Sequence, residues 1–431
     1  MNAVNDSWIS AHDTGVLRLI TAGSVDDGKS TLIGRLLYDS KGVFADQMAS
    51  ISRSKYKRVA ADEIDLALLT DGLEAEREQG ITIDVAYRYF ATPLRKFIIA
   101  DAPGHEQYTR NMVTGASTAQ VAIVLVDASR AADGQLLPQT KRHSALAHLL
   151  GLRHIVVAVN KMDLVGWDQE VFERIRQSYA ALADTLGIEH FHIIPMSALK
   201  GDNVVEPSKN MPWHDGPALL SLLETLPGSA DPGQASARFF VQWVIRHGGH
   251  NINDFRGYAG QLAGAGLSVG ESVKVLPSGQ TARVARLLRG EQDVDQVYGG
   301  ESITIVLDKD IDVSRGDLIV PSEAQIRLAR EFDAELCWLD QQALSPARHY
   351  WLKQGTRLTQ ARVKTVHTRR DIHELRNVVA GGVFDMNDIG HATLVARDVL
   401  ALDAYAEHPA TGAFILIDAA THQTVAAGMV R

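Results

Sequence analysis

The sequence is poor in cysteine, because Cys337 is the only one among 431 residues. A single thiol excludes an internal disulfide framework and any cysteine-cluster metal site. No apolar run approaches the ~18 residues that a membrane helix needs. The opening stretch, residues 1–15, is polar and lacks the apolar core of a signal peptide. These absences predict a cytoplasmic protein that has no membrane partner.

The sequence also lacks a surplus of positive charge. Lysine plus arginine number 43 against 52 aspartate plus glutamate, which gives a net charge of −9. This balance argues against a nucleic-acid partner, since such proteins carry basic surfaces. The content of 45% hydrophobic and 22% charged residues excludes a wholly disordered chain. At about 150 residues per domain, the length predicts roughly three domains.

The first half of the chain alternates between short apolar runs and stretches with helical character. The apolar runs are continuous, which is typical of parallel strands buried on both faces. Strand–helix alternation of this kind predicts a doubly wound α/β domain with a mostly parallel sheet. The predicted strands are Val16–Ala22, Phe97–Ala100, Val121–Asp127, Ile155–Asn160 and His192–Met196, and the predicted helices are Lys29–Tyr38, Gln139–Leu150 and Gln169–Leu186.

The composition changes after Leu226, where a stretch rich in proline and glycine predicts a linker. Beyond it, short β-rich runs separated by glycine-containing turns predict two β-barrels. We therefore predict an α/β domain over residues 1–228, a linker over 229–234, and barrel domains over 235–328 and 329–431. The predicted barrel strands are Arg238–Ile245, Ser272–Leu276, Ala282–Leu288, Ser302–Leu307, Glu331–Leu339, Arg357–Thr368 and Gly412–Asp418.

A phosphate-loop pattern lies between the first predicted strand and the first predicted helix. Glycines let the backbone wrap around phosphate oxygens, so that successive N–H groups and the helix N-terminus face the anion. The lysine of the pattern would supply positive charge to the β- and γ-phosphates, and the serine hydroxyl that follows it would ligate Mg²⁺. The predicted nucleotide-binding residues are Gly23, Ser24, Val25, Asp26, Asp27, Gly28, Lys29 and Ser30, followed by Thr31.

A second nucleotide motif follows the predicted strand Phe97–Ala100. It consists of Asp101, Ala102, Pro103 and Gly104. An aspartate in that position can hold the Mg²⁺ shell from the far side, and the glycine can offer its N–H to a γ-phosphate. Most Asp-x-x-Gly matches are simple turns, but a place at a strand end after a phosphate loop favours the nucleotide role.

Two further polar stretches follow predicted strands and are suited to bind a base. A carboxylate at the end of the first stretch can accept two hydrogen bonds from guanine, whereas adenine presents the wrong pattern. Such a bidentate contact discriminates by about 1–3 kcal/mol, by analogy with base recognition in DNA. The backbone of the second stretch could contact the guanine oxygen. The first stretch is Asn160, Lys161, Met162 and Asp163, and the second is Ser197, Ala198 and Leu199, which precede Lys200.

In this order, the four motifs resemble the signature set of GTP-binding proteins. The segment Arg77–Ile83 resembles the effector segment of translation-factor-type GTPases, which implies that Thr82 senses Mg²⁺ and the γ-phosphate. His105 takes the position at which small regulatory GTPases carry a glutamine that orients water. The implied catalytic residues are Lys29, Thr82 and His105, and the implied Mg²⁺ ligands are Ser30, Thr82 and Asp101.

A closer resemblance is to the GTPase subunit of the two-subunit bacterial sulfate adenylyltransferase. Gly23–Ser40, Glu76–Arg88 and Pro103–Ser117 carry this resemblance. It implies that GTP hydrolysis drives the adenylation of sulfate by ATP, which yields adenylylsulfate and pyrophosphate on a separate, smaller catalytic subunit. Some relatives carry a C-terminal adenylylsulfate kinase. No second phosphate loop follows residue 228, so such a kinase is expected as a separate chain.

Two other interpretations remain open. A translation elongation factor that delivers aminoacyl-tRNA would have the same domain plan, but residues 331–431 carry 10 Lys plus Arg against 12 Asp plus Glu. That stretch therefore offers no surplus of basic charge for RNA. A purely regulatory GTP switch needs only the first domain, so the barrels argue against it. We also expect slow intrinsic GTP turnover that a partner accelerates, because the sequence identifies no arginine finger.

Overall fold

In the computed structural model of this protein, the described residues are 15–40, 66–69, 84–105, 109–152, 154–228, 235–247, 255–371, 376–379 and 381–431. The chain divides into two units. The first comprises residues 1–229 with 372–375, and the second comprises 230–371 with 376–431. The predicted linker 229–234 lies outside the described residues, and the three domain boundaries predicted from the sequence stay predictions.

A six-stranded sheet forms the centre of the first unit. Its strands are β1 (Val16–Ala22), β2 (Ala86–Ala91), β3 (Lys96–Asp101), β4 (Val121–Asp127), β5 (His154–Asn160) and β6 (Phe191–Pro195). Their order is β2-β3-β1-β4-β5-β6, and only β2 runs antiparallel to its neighbour. The predicted mostly parallel α/β sheet is confirmed. The edge strand β2 was absent from the prediction because it alternates between half-buried and exposed residues instead of forming an apolar run.

Helices alternate with these strands along the chain. They are α1 (Lys29–Asp39), α2 (Thr109–Ala116), α3 (Pro138–Leu149), α4 (Gln169–Leu186) and α5 (Leu219–Thr225), with short 3-10 turns at Leu66–Leu69 and Met162–Val165. Helix α4 begins after Asp168, whose carboxylate accepts two backbone N–H groups, and it ends before Gly187 in the left-handed conformation. Among the described helices, none is both long and apolar enough to cross a membrane.

One edge of the sheet collects the four nucleotide motifs. The parallel strands β1, β3, β5 and β6 all point their carboxyl ends to this edge. The phosphate loop leaves β1, Asp101 ends β3, Asn160 ends β5, and Ser197 follows β6 shortly after its last residue. Ligands of open α/β sheets bind in the crevice at this edge, so the topology itself assembles the candidate site.

The first barrel of the second unit is antiparallel. Its strands are β7 (Arg238–Phe240), β8 (Trp243–His247), β9 (Phe255–Ala263), β10 (Leu267–Ser268), β11 (Ser272–Leu276), β12 (Gln280–Arg289), β13 (Gln292–Val294), β14 (Gln296–Val297), β15 (Ser302–Leu307) and β16 (Leu318–Pro321). The order β11-β16-β7-β9-β15-β12 closes into a ring through the pairing of β11 with β12. Buried side chains such as Phe239, Tyr258 and Val273 fill the interior.

The second barrel closes in the same way. Its elements are β17 (Arg327–Trp338), β18 (Tyr350–Gln354), β19 (Arg357–Arg370), β20 (Asn377–Val379), β21 (Ile389–Leu402), α6 (Pro409–Gly412), β22 (Ala413–Asp418) and β23 (Thr424–Val430). The ring order is β18-β22-β23-β17-β21-β19, and β18 pairs with β19. Phe332, Trp338 and Phe414 lie in its core. The prediction of two β-barrels is therefore confirmed.

A buried ion pair joins the two barrels within the second unit. Arg238 of β7 donates two hydrogen bonds to Asp403, with Nε 2.9 Å from Oδ2 and Nη2 3.1 Å from Oδ1. Both residues are buried. The Thr411 hydroxyl also donates to Oδ2 of Asp403. Removal of either partner would leave the other charge buried and uncompensated, so we expect this pair to matter for the packing of the two barrels.

Candidate nucleotide site

The phosphate loop, Gly23–Ser30, has the backbone that a close wrap around an anion requires. Asp26 and Gly28 have positive φ values of 68° and 93°. A Cβ added to Gly28 would collide with the side-chain amide of Asn160. Only glycine therefore meets both demands at this position.

The Lys29 side chain lies along the inside of this loop. Its Nζ donates to the carbonyl oxygens of Gly23 at 3.1 Å and Ser24 at 2.7 Å. Burial lowers the pKa of Lys29, while the carboxylates of Asp101 and Asp27 favour the charged form. The ammonium thus lies on the inside of the loop that would bind a phosphate.

Asp27 is a buried carboxylate inside the same loop. Its Oδ2 accepts the Ser24 N–H at 2.6 Å. Its Oδ1 has no hydrogen-bond partner among the described residues, and Nη1 of Arg130 lies 3.8 Å from it. Burial raises the pKa of Asp27 to about 6, although Lys29 favours the charged form. The carboxyl group therefore titrates close to neutral pH.

A histidine from helix α3 contacts the start of the loop. Nδ1 of His143 accepts the Gly23 N–H at 3.0 Å, and the side chain is buried. Burial, together with the nearby charges of Lys29 and Arg142, lowers the pKa of His143 to about 3. The ring is therefore neutral and carries its proton on Nε2, which leaves Nδ1 free to accept.

The predicted Mg²⁺ ligands lie beside the loop where the structure describes them. Ser30 is the second residue of α1, and buried Asp101 accepts a hydrogen bond from the Thr21 hydroxyl at 3.2 Å. Gly104 approaches the loop so closely that an added Cβ would stand 2.5 Å from Lys29 Nζ. The third predicted ligand, Thr82, lies outside the described residues, as does the segment Arg77–Ile83.

Asn160 connects the base motif with the phosphate loop. Its Nδ2 donates to the Asp27 carbonyl at 2.8 Å, and its Oδ1 accepts the Ala198 N–H at 2.9 Å. The side chain is buried, so both hydrogen bonds are shielded from water. Three of the four predicted motifs are thus held together by one amide group.

The residues after Asn160 are ordered by a second buried carboxylate. Lys161 has a positive φ of 62°, and its Nζ lies 2.7 Å from Oδ2 of Asp127 at the end of β4. Burial tends to raise the pKa of Asp127, but hydrogen bonds from Lys161 and Ser129 outweigh burial and lower it. Asp163 follows in the 3-10 turn and is half-buried. Its carboxylate is therefore accessible to a ligand.

The stretch Ser197–Leu199 forms the other side of the predicted base pocket. Ser197 is buried, and its hydroxyl accepts the Lys200 N–H at 3.2 Å. Arg35 of α1 donates to the carbonyl oxygens of Ala198 and Leu199. The stretch is therefore fixed to the helix that follows the phosphate loop.

A cavity of about 530 Å³ opens beside the phosphate loop. Its lining includes Ser24, Asp26, His105 and two arginines, Arg130 and Arg142. His105 is exposed to this space, and Arg130 donates to the Val25 carbonyl at 3.2 Å. The cavity thus combines positive charge with the histidine that is predicted to orient water.

Two protein-family models match stretches of this chain. Residues 14–231 match the family model of the elongation factor Tu GTP binding domain, and residues 331–431 match the GTP-eEF1A C-terminal domain-like family. Sulfate adenylyltransferase subunit 1 of Laribacter hongkongensis is 48% identical over 99% of this chain and 87% of that protein. Its counterpart in Vibrio campbellii is 49% identical over 99% and 88%.

This chain belongs to the sulfate adenylyltransferase subunit 1 family. A longer relative, the bifunctional enzyme CysN/CysC of Mycobacterium tuberculosis, is 51% identical over 97% of this chain and 67% of its own length. The closer of the two resemblances drawn from the sequence is thereby confirmed.

The fold of this member of the sulfate adenylyltransferase subunit 1 family also occurs in a solved structure. The Saccharomyces cerevisiae Ski7 GTPase-like domain, bound to GTP, matches with a TM-score of 0.53 over the full length of both chains. The sequences are only 15% identical, so the match concerns the fold alone. It agrees with an α/β GTPase domain followed by two β-barrels.

The site of this family member fits a magnesium nucleotide. Ser24 Oγ and Asp27 Oδ1 are buried without hydrogen-bond partners among the described residues, and such atoms usually await a ligand or water. The Ser30 hydroxyl and the Asp101 carboxylate are oxygen ligands of the kind that Mg²⁺ prefers. The individual roles assigned from the sequence stay predictions.

Several residues of the site lie outside the predicted motifs, among them Asp127, His143 and Arg130. Asp127 carried a usable signal, because it ends an apolar strand at the same edge as Asp101 and Asn160. His143 and Arg130 carried none, since neither lies in a motif and each contacts the loop only through the tertiary fold. A sequence motif cannot identify residues that contact a loop from a distant part of the sequence.

Proposed function

We propose that this chain is the GTP-hydrolysing subunit of a sulfate adenylyltransferase in sulfate assimilation. The observation that carries the proposal is the match at 48–49% identity to sulfate adenylyltransferase subunit 1 proteins over 99% of the chain. The geometry supports the nucleotide part independently, because four GTP-type motifs meet at one sheet edge around Lys29 and Asn160.

The proposed hydrolysis relies on positioning and on charge. Lys29 and the N–H groups of the phosphate loop would hold the β- and γ-phosphates, and the phosphate charge would favour the protonated lysine. Bound Mg²⁺, held by Ser30, Asp101 and Thr82, would neutralise charge on the phosphate oxygens. His105 would orient the attacking water from the cavity beside the loop.

We propose that the motif Asn160–Asp163 selects guanine over adenine. The Asp163 carboxylate would accept hydrogen bonds from the ring N–H and the exocyclic amine of guanine. Adenine would leave this carboxylate unpaired, and an unpaired polar group in a binding site penalises the wrong ligand. Asn160 and Lys161 support this arrangement through Asp27, Ala198 and Asp127.

The proposed partner is the smaller catalytic subunit, on which ATP and sulfate would form adenylylsulfate and pyrophosphate. The name "subunit 1" of the relatives supports a heteromeric enzyme. An adenylylsulfate kinase would be a separate chain, and the proposed compartment is the cytoplasm. The single cysteine, which is buried, supports a reducing compartment.

A second candidate is a translation factor that delivers aminoacyl-tRNA. The match of residues 331–431 to the GTP-eEF1A C-terminal domain-like family is the observation that favours it. The same residues carry 10 basic and 12 acidic side chains, which gives no net basic charge for an RNA partner.

One experiment separates the two candidates. The chain is purified with its co-expressed partner, and GTP hydrolysis is measured with and without ATP plus sulfate. We expect ATP and sulfate together to stimulate hydrolysis and adenylylsulfate to form in step. Binding of aminoacyl-tRNA only in the GTP state would favour the second candidate. A response to neither would favour a regulatory GTPase.

The role of His105 is tested in the same assay. His105→Ala should abolish most of the partner-stimulated turnover, because the attacking water loses its orienting group. GTP affinity, measured by calorimetry, should stay the same since the side chain is exposed. Unchanged stimulated turnover in the variant would rule out this role.

A further inference from the structure

Three neighbouring strands of the second barrel present metal-ligating side chains together. Asp333 is on β17, His391 on the adjacent β21, and His367 on β19 beyond it. One ligand atom from each residue lies within 4.8 Å of the other two. The cluster belongs to the second unit, whereas the nucleotide motifs lie in the first.

The spacing of the cluster suits one metal ion. Nε2 of His391 lies 3.8 Å from Oδ1 of Asp333, and the rings of His367 and His391 have centres 4.6 Å apart. Two imidazoles that share a zinc ion hold their ring centres about 5 Å apart, given Zn–N bonds of about 2.0–2.1 Å. The observed separation of the two rings is therefore close to the one expected for a shared ion.

One nitrogen of the cluster is buried without a partner. Nε2 of His391 has no hydrogen-bond partner among the described residues. A buried ring nitrogen without a hydrogen-bond partner is a candidate ligand atom for a metal ion.

A threonine hydroxyl lies between two of the three side chains of the cluster. The Thr393 hydroxyl donates to Asp333 Oδ1 at 2.5 Å and lies 2.7 Å from His367 Nε2. This contact keeps two candidate ligands on either side of the hydroxyl. Metal binding would replace it by direct bonds from both side chains.

We propose that Asp333, His367 and His391 form a binding site for a divalent transition metal of the zinc class. Two imidazoles and one carboxylate suit such an ion, with water completing a tetrahedral shell. Mg²⁺ prefers oxygen ligands and should bind poorly here. The ion would connect β17, β21 and β19 and so stabilise the second barrel.

The test is a calorimetric titration of the full chain with Zn²⁺ in the presence of GDP and Mg²⁺, which occupy the nucleotide site. His367→Ala and His391→Ala should each weaken the Zn²⁺ binding at least tenfold. His349→Ala, which alters an exposed histidine elsewhere in the same barrel, should leave it unchanged. Equal Zn²⁺ binding by all four proteins would overturn the proposal, as would no binding by the wild type.

A second readout guards against loss of fold. Co²⁺ in a tetrahedral site with imidazole ligands gives visible absorption, so the wild type should show these bands and Asp333→Asn should weaken them. Circular dichroism checks that the variants fold. If the half-buried His391 variant unfolds, the exposed His367 variant decides the outcome alone. Visible bands that survive in His367→Ala would contradict the assignment.

Discussion

Charged side chains are buried in the Arg238–Asp403 ion pair, which links the two barrels, and also in the phosphate loop. The hydrogen-bonding groups of these side chains are satisfied to different degrees in the two places. Arg238 and Asp403 form a bidentate pair, and Thr411 supplies a further hydrogen bond. Burial tends to raise the pKa of Asp403, but bonds from Arg238 and Thr411 lower it overall. In the phosphate loop, Asp27 keeps an oxygen without a hydrogen-bond partner among the described residues, and its pKa is about 6.

The difference separates a structural ion pair from a ligand site. A fully bonded buried pair has nothing left to offer a ligand, and it is best explained as a fixed joint between domains. An incompletely bonded group costs folding free energy unless a ligand, ion or water completes it. The phosphate loop therefore holds its charges at the expense of stability, as binding sites commonly do.

The largest expected effect is at the Arg238–Asp403 ion pair between the two barrels. Arg238→Met leaves the Asp403 carboxylate buried without its ion partner, which should cost about 3–5 kcal/mol of unfolding free energy. Urea denaturation of the full chain, followed by tryptophan fluorescence, measures this loss. The double variant Arg238→Met/Asp403→Leu should recover most of it. If Arg238→Met lost no measurable unfolding free energy, the ion pair would not stabilise the contact between the barrels.

The next effect concerns Asp27 and pH. Its pKa in the folded protein, about 6, lies above the ordinary 3.8, so the folded state holds the proton more tightly than the unfolded chain. The folded state therefore loses stability as pH rises through this range, by up to about 3 kcal/mol near pH 8. The amide of Asp27→Asn does not ionise, so the variant should lack this pH-dependent loss of stability.

Denaturation of the nucleotide-free protein near pH 4 and near pH 8 checks this expectation. The Asp27→Asn variant should gain stability relative to the wild type at the higher pH only. Asp26→Asn, which alters the exposed neighbour in the same loop, is the matched control. A gain of equal size at both pH values would contradict the assignment.

Base selection is expected to give an effect of about 1–3 kcal/mol, which is roughly fivefold to 150-fold in affinity. Asp163→Asn should weaken GTP and strengthen xanthosine triphosphate, since the amide can donate to the xanthine oxygen. Calorimetry with both nucleotides measures the exchange. Asp184→Asn on the exposed face of α4 serves as the control. Unchanged GTP affinity would count against the guanine contact.

The smallest effect is expected at His143. His143→Leu removes the acceptor of the Gly23 N–H, which should weaken GTP binding by about 1 kcal/mol. His143→Asn can place an amide oxygen where Nδ1 lies and should recover much of the affinity. Equal GTP affinities of the Leu and Asn variants would show that the hydrogen bond does not support the loop.

Much of the first unit could be predicted from local sequence. Val121–Asp127 and Gln169–Leu186 have the bounds that the sequence predicts, because one is continuously apolar and the other has strong end signals. The barrels were harder. The stretch Arg238–Ile245, predicted as one strand, is two: β7 pairs with both β16 and β9, β8 pairs with β9, and residues 241 and 242 interrupt the strand between them.

The candidate site also contains residues that could be predicted from the sequence and residues that could not. Motif residues such as Lys29 and Asn160 lie in short contiguous motifs that follow strands, so their place at one sheet edge could be predicted. The contacts of His143 with Gly23 and of Arg130 with Val25 span more than a hundred residues. Such contacts depend on how helices pack on the sheet, which no local pattern specifies.

The Asn160 amide has a consequence for nucleotide identity. Because it bonds to both the Asp27 carbonyl and the Ala198 N–H, we expect a purine that displaces this amide to disturb the phosphate loop as well. The proposed enzyme uses GTP on one subunit and ATP on the other. We therefore expect a poorly fitting base to weaken phosphate binding as well, which would help to exclude ATP from this site.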